Sequence, residues 1–352
     1  SGNETYFEAA IDSSDRIITV GATGSPNGQF LLARYTSDGN LDTSFGTAGT
    51  GFVTTDVTSS NDGLLDVVLD NSGNIVVVGY SGELSANESF RLARYTPDGE
   101  LDTSFGTAGT GIETLDLSAS GLERLDRVAL DSSGNIVVAG SSGEDILVAR
   151  YTPSGVLDTT FGTAGTGIVL TDVGTNSAEF ARSVEIDSSG NIVVFGQSNT
   201  NGNDDFAVIR YTADGQLDPT FGTNGIVVTD VQDNNQDDQA GDGSLDNNGD
   251  ILLTGRSESG GVKFAVARYE NSAPITLNIN EDDPAPSGAV GTLVSDLVDL
   301  NPPAGGSDNV TDVDDTVTGI AITAADTTNG SWFYTTDGGT NWTALGTVSD
   351  AN

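Results

Sequence analysis

Five arginines recur in one sequence setting, Arg34, Arg94, Arg150, Arg210 and Arg268, at steps of 60, 56, 60 and 58 residues. In the first four copies an aspartate follows eight residues later, at Asp42, Asp102, Asp158 and Asp218. Alternation puts Arg94 on the same strand face as Phe90 and Leu92, and a guanidinium on an apolar face needs a carboxylate or carbonyls. The spacing therefore predicts structural ion pairs, Arg34–Asp42, Arg94–Asp102, Arg150–Asp158 and Arg210–Asp218. A ring of arginines lining a channel and binding an anion is the functional alternative. The ion pair is favoured because each complete copy carries both members.

Other acids invite the same weighing. Asp70-Asn-Ser-Gly-Asn74 and Asp98-Gly-Glu-Leu-Asp102 look superficially like calcium loops. Neither supplies oxygen donors at alternate positions with a closing glutamate, and Asp and Asn are what tight turns select. Turn chemistry is the expectation there. The acidic run Gln232–Asp242, with Asp233, Asp237 and Asp238, reads as a hydrated loop. Paired carboxylates of glycosidase type exist by inventory, but the acids repeat with the unit, whereas catalytic residues break a repeat's symmetry. No catalytic residue and no organic cofactor is predicted.

Composition narrows the chemistry further. The 352 residues contain no cysteine, methionine or histidine, and Lys263 is the only lysine. Disulfides, thiolate metal sites, Ser-His-Asp triads and imidazole ligands are excluded together. With 52 acids against 12 bases the formal charge is −40, which repels nucleic acid and anionic membranes and suits hydrated cations. No stretch has the apolar length of a membrane helix.

The elements that position these residues repeat as a unit. Val67-Val-Leu-Asp-Asn-Ser-Gly-Asn-Ile-Val-Val-Val-Gly79 reads as a hairpin, and recurs at Val128–Gly140, Val184–Gly196 and, more loosely, Gly243–Gly255. Tyr6–Val20 opens the chain in the same way. A third strand (Phe90–Tyr95), a Thr-Pro-Asp-Gly turn, a glycine-rich connection plugged by Leu101 and Phe105, and a fourth strand complete each unit. Four strands per unit of just under sixty residues predict an all-β chain, a β-propeller of four-stranded blades, with a β-solenoid as runner-up. The propeller is expected over residues 1–271. Glu270-Asn-Ser-Ala-Pro274 reads as a linker, and residues 272–352 as a C-terminal β-sandwich module with Trp332, Tyr334 and Trp342 around an Asp-Gly-Gly turn.

The repeated Asp-x-Ser-Gly-Asn-Ile-Val-Val-x-Gly, Ala-Arg-Tyr-Thr-x-Asp-Gly and Leu-Asp-x-x-Phe-Gly resemble the bacterial delta-60 repeat family, over roughly residues 5–270. That resemblance implies a propeller in a large secreted protein and brings no activity with it. The last copy departs from it, lacking Leu-Asp-x-x-Phe-Gly after Tyr269. The C-terminal stretch resembles the cadherin-like, immunoglobulin-like modules of giant bacterial adhesins. Such modules bind calcium with acids near their junctions, which implies a calcium site at Glu281, Asp282, Asp283, Asp312, Asp314 and Asp315. The module is expected to be cut short at Asn352, with continuation favoured over completion by a neighbouring chain through Leu277–Ile279 or Val317–Ile322.

These readings give the functional expectation: a non-catalytic segment of an extracellular, cell-surface adhesin, acting as spacer and binding platform. Its partners would be other surface modules or copies of itself, with no nucleic acid and no membrane insertion. Two alternatives stand beside it, a glycan-binding, lectin-like propeller and a subunit of an extracellular filament built by strand addition.

Overall fold

The computed structural model describes residues 4–269, apart from 25–26, 47–48, 83–88, 116–122, 163–164, 175–178, 200–201, 232–235 and 259–261. It also describes 333–334 and 343–344. The chain divides into two units, Ser1–Asn271 and Ser272–Asn352. In the second, the described residues form one short antiparallel ladder, Phe333–Tyr334 with Thr343–Ala344.

In the first unit every predicted repeat is one antiparallel sheet with its strands in sequence order. Blade 1 comprises β1 (Thr5–Ile11), β2 (Ile17–Ala22), β3 (Phe30–Tyr35) and β4 (Phe52–Thr55). Blade 2 comprises β5 (Asp62–Leu69), β6 (Ile75–Ser81), β7 (Ser89–Tyr95) and β8 (Ile112–Leu115). Blade 3 comprises β9 (Glu123–Leu130), β10 (Ile136–Ser142), β11 (Asp145–Tyr151) and β12 (Ile168–Thr171). Blade 4 comprises β13 (Glu179–Ile186), β14 (Ile192–Ser198), β15 (Asp205–Tyr211) and β16 (Ile226–Thr229). Blade 5 has three described strands, β17 (Asp238–Leu245), β18 (Ile251–Ser257) and β19 (Lys263–Tyr269). The first strands of successive blades pack on one another, β1 on β5, β5 on β9, β9 on β13 and β13 on β17. The architecture is all-β and propeller-like.

Local chemistry explains the hairpins. In Asp70-Asn-Ser-Gly-Asn the Asp70 Oδ1 accepts from the backbone N–H of Ser72 (2.8 Å) and Asn74 (2.9 Å), while Oδ2 accepts from Asn74 Nδ2 (2.8 Å). A carboxylate consumed in this way builds the turn itself, as the sequence suggested. Gly73 supplies the left-handed residue, φ 78°; in blade 1 Asp15 stands there, φ 59°. In the middle strand Gly79 is required by contact: a Cβ there would lie 2.0 Å from the carbonyl oxygen of Gly63. A bulge in β5, between Leu64 and Asp66, faces it.

The core lies between blades. Ile18, Val20, Phe30, Leu32 and Phe45 of blade 1 interdigitate with Leu64, Val67, Ile75, Val77, Ala93 and Tyr95 of blade 2, and equivalent clusters join each later pair. Fully burying each such side chain contributes roughly 1.5–3 kcal/mol, so no blade is stable without its neighbour. Among the described residues, large apolar side chains stand exposed in the first and fifth blades, with Phe7 50% exposed in β1 and Phe264 78% exposed in β19. A polar rung also crosses between blades. Tyr95, Tyr211 and Tyr269 donate to Thr55 (2.8 Å), Thr171 (2.7 Å) and Thr229 (2.9 Å) at the end of the preceding blade's fourth strand. Leu115 replaces that threonine in blade 2, and the buried Tyr151 hydroxyl has no hydrogen-bond partner.

Candidate functional site

Two constellations stand out, one repeated in every connection and one at two blade junctions. In the first, the third strand ends in an arginine whose backbone holds the connection: Arg34 N–H donates to Gly51 O (3.1 Å), and Asp42 N–H donates to Arg34 O (2.8 Å). That loop-back brings Asp42 Oδ2 to 2.8 Å from Arg34 Nε. The same contact measures 2.8 Å for Arg94–Asp102, 2.9 Å for Arg150–Asp158 and 2.9 Å for Arg210–Asp218. The guanidiniums also stack on Phe45, Phe105, Phe161 and Phe221, with ring centroids 4.6 to 4.8 Å away.

The arginines do more than close their own loops. Arg34 Nη1 donates to Pro97 O (2.6 Å) in the next blade's turn, and Arg94 and Arg150 reach Pro153 O (2.6 Å) and Ala213 O (2.5 Å) in the same way. Phe45 completes the link by filling the space over Gly99, where a Cβ would meet its ring at 2.7 Å. The Ser44 hydroxyl, opposed by burial and helped by the Ser44 N–H and Arg34, holds Asp42 below its ordinary pKa. Asp102 and Asp158 are lowered for the same reasons through Ser104 and Thr160. Burial opposes most at Asp218, yet Thr220 and Arg210 still hold it low. With its donors committed to Asp42, Ser44 and Pro97, buried Arg34 is a blade-to-blade tie. Arg268, lacking a following Asp, contacts Asp246 (3.5 Å) and Asp250 (2.5 Å) within its own sheet.

The second constellation is acidic and crosses blades. At three junctions the N–H that opens the inner strand donates to a carbonyl just before the preceding blade's third strand: Asp62 to Gly28 (2.8 Å), Glu179 to Glu144 (3.1 Å) and Asp238 to Asp204 (2.5 Å). Those bonds place the first residue of one blade beside the first residue of the previous blade's third strand. Where both are acidic, a carboxylate from the connection joins them. Asp145, Asp172 and Glu179 each put an oxygen within 4.8 Å of the others, as do Asp205, Asp230 and Asp238. The two clusters occupy the same position one repeat apart. They differ in access: Asp172 is exposed and Asp145 half-buried, whereas Asp205 and Asp238 are buried. All-oxygen groups of this kind can hold a hard metal ion.

These clusters correct one expectation. Asp238 belongs to no hydrated loop; it opens β17, is fully buried, and pairs across the sheet with Ser257. Its members come from three segments of chain, so no local motif marks them. A shared period did carry the signal, since Asp145 and Asp205 each open a third strand, one residue before its apolar run. The acids expected to bind calcium, Glu281, Asp282, Asp283, Asp312, Asp314 and Asp315, lie outside the described residues, as do Leu277–Ile279 and Val317–Ile322.

Four segments, residues 13–45, 71–105, 132–161 and 188–221, match the family model described as domain of unknown function (DUF5122) beta-propeller. The class is thus a propeller-like repeat protein. Among curated proteins none matches the chain. Several solved structures resemble it. A family 43 endo-arabinanase from Bacillus licheniformis is 13% identical, with 77% of this chain and 97% of that one covered and a TM-score of 0.38. A PL25 ulvan lyase is 12% identical, with 77% and 71% covered and a TM-score of 0.42. A protein of unknown function from Dyadobacter fermentans is 11% identical, with 78% and 82% covered and a TM-score of 0.44.

These matches correct the expectation of a non-catalytic adhesin spacer and of a chain that is no enzyme. Proteins named for glycan hydrolysis and glycan lysis stand among the structures that align. At these identities the likeness concerns the fold, and no residue's role is taken from it.

Proposed function

We propose that this chain is a glycan-binding, lectin-like propeller, with the rim between blades 3 and 4 as its contact surface. The observation that carries the reading is the acid cluster Asp145–Asp172–Glu179, reached from solvent through exposed Asp172 and half-buried Asp145, near an aromatic ring, Phe180, 39% exposed. Closely spaced carboxylates accept strong, charge-assisted hydrogen bonds from neighbouring sugar hydroxyls. The face of an aromatic ring offers a flat apolar surface to the C–H side of a pyranose. Arg182, its guanidinium 5.6 Å from the Phe180 ring centroid, steadies that ring. Phe180 stands at the very start of β13, next to buried Glu179, so an oligosaccharide lying across the top of blade 4 reaches Phe180 and exposed Asp172, with Glu179 behind them. A formal charge of −40 favours neutral or cationic glycans over sulfated or uronate-rich ones. An extracellular setting belongs to the same proposal, supported by the cysteine-free, acidic composition.

A glycan array probed with the wild-type chain, Asp172→Asn and Phe180→Ala tests the reading. Binding to a neutral glycan, weakened at least about tenfold by each substitution, supports it. No bound glycan, or binding indifferent to both changes, refutes it. Turnover of the bound glycan would make the same rim catalytic.

A further inference from the structure

We infer that Asp205, Asp230 and Asp238 form a calcium site that clasps blade 4 to blade 5. Three carboxylate oxygens within 4.8 Å of one another, two of them on buried residues, repel strongly unless a cation or a shared proton lies among them. A second observation points to the cation. Asp238 is fully buried; its Oδ2 accepts from Val231 N–H (2.6 Å), and its Oδ1 has no hydrogen-bond partner. Buried polar atoms are otherwise satisfied almost without exception, and a buried carboxylate oxygen left unpaired beside two further carboxylates is what a hard cation uses.

The repeat supplies its own control. At the junction of blades 1 and 2 the position of Asp205 is held by Gln29, and Asp62 stands where Asp238 does. There the carboxylate is saturated by the protein: Oδ2 accepts from Val57 N–H (2.8 Å) and Thr58 N–H (2.9 Å), and Oδ1 from Thr58 Oγ1 (2.8 Å). Where the neighbour is neutral, the acid is fully bonded; where the neighbour is Asp205, the acid keeps an oxygen unused. All the donors are oxygens, which suits calcium over softer metals, and calcium exchanges water for protein oxygens more readily than magnesium does.

The test uses the full chain, stripped with chelator and melted with calcium chloride or with magnesium chloride at equal concentration, the latter cancelling general screening of the acidic surface. Calcium at a hundred times its dissociation constant is expected to raise Tm by about 5 °C, and magnesium by clearly less. Asp238→Asn removes the calcium-specific rise, yet without calcium it melts at or above the wild type because a buried like charge is gone. Asp205→Asn, read in the same way, serves if Asp238→Asn does not fold. An unmoved Tm up to about 10 mM calcium, an equal rise with magnesium, or a calcium response surviving in a folded variant that also carries Asp172→Asn, which disables the equivalent cluster one repeat earlier, overturns the site. The glycan proposal is read by array binding and not by calcium-dependent melting, so it stands or falls separately.

Discussion

Changing Tyr151 to Phe should stabilise this protein, although the same change in the equivalent Tyr211 should destabilise it. Both rings are buried at a blade interface, and both variants keep that burial. Tyr211 donates to Thr171 at 2.7 Å; its loss removes a net contribution of about 1 kcal/mol and strands a threonine hydroxyl that is itself buried, for a total near 1–2 kcal/mol. Tyr151 faces Leu115 where its counterparts find threonine, so its hydroxyl is desolvated without compensation. Leaving a buried hydroxyl unpaired costs roughly 1–3 kcal/mol, and phenylalanine recovers about 1 kcal/mol of that once imperfect repacking is allowed for. The two substitutions should thus separate by about 2–3 kcal/mol, read as opposite shifts of the urea midpoint at constant m. If Tyr151→Phe lowers the midpoint as far as Tyr211→Phe does, the reasoning about the missing threonine is refuted. A Leu115→Thr chain offers the complementary check, since it should make Tyr151→Phe destabilising.

Three further outcomes are expected. Arg34→Lys should cost about 3 kcal/mol, because an ammonium replaces a buried fork that serves Asp42, Ser44 and Pro97 at once; Arg268→Lys, in a contact 37% exposed, should cost under about 1 kcal/mol, and equal losses in thermal melts would sink the distinction. Gly99→Ala should destabilise by about 1–2 kcal/mol more than Gly39→Ala, since both have positive φ but only Gly99 has a phenyl ring in the way of a Cβ; matched melting temperatures would deny the plug its role. Burial pushes the Tyr95 and Tyr211 hydroxyls upward, so the stability tied to their neutral forms is intact below about pH 10 and is lost as pH rises beyond it. Tyr211→Phe should flatten that alkaline loss, and an unchanged slope would contradict it.

The blades were legible because their signals are local and repeat. Asp70-Asn-Ser-Gly-Asn is a complete turn prescription, and Phe90-Arg-Leu-Ala-Arg-Tyr alternates as only a strand does. The ion pairs could also be read, since Arg94 and Asp102 recur together in one stretch. What the sequence hid is everything that passes from one blade to the next. Nothing local shows that Arg34 reaches Pro97, that Phe45 fills the space over Gly99, or that Leu115 deprives Tyr151 of a partner. The acid clusters failed for the same reason, compounded by composition. In a chain this acidic a buried aspartate looks like every solvated one, and only the register of β17 against β18 separates Asp238 from the run around it.

The tie from Phe45 and Arg34 to Gly99 and Pro97 also bears on how such a chain can lengthen. The first four units present the same plug forward, Phe45, Phe105, Phe161 and Phe221, and the second to fourth the same socket backward, Gly99, Gly155 and Gly215, so the joints among those four are made of the same parts. A tandem duplication or loss of one period then regenerates complete joints on both sides, whatever residue the breakpoint strikes, because a sequence cut at any phase and rejoined one period later restores the same order of plug and socket. Blade number in this lineage is therefore free to drift by whole units without new contacts having to evolve. Point changes such as Gln29 against Asp205, or Leu115 against Thr171, are what give otherwise interchangeable blades separate tasks.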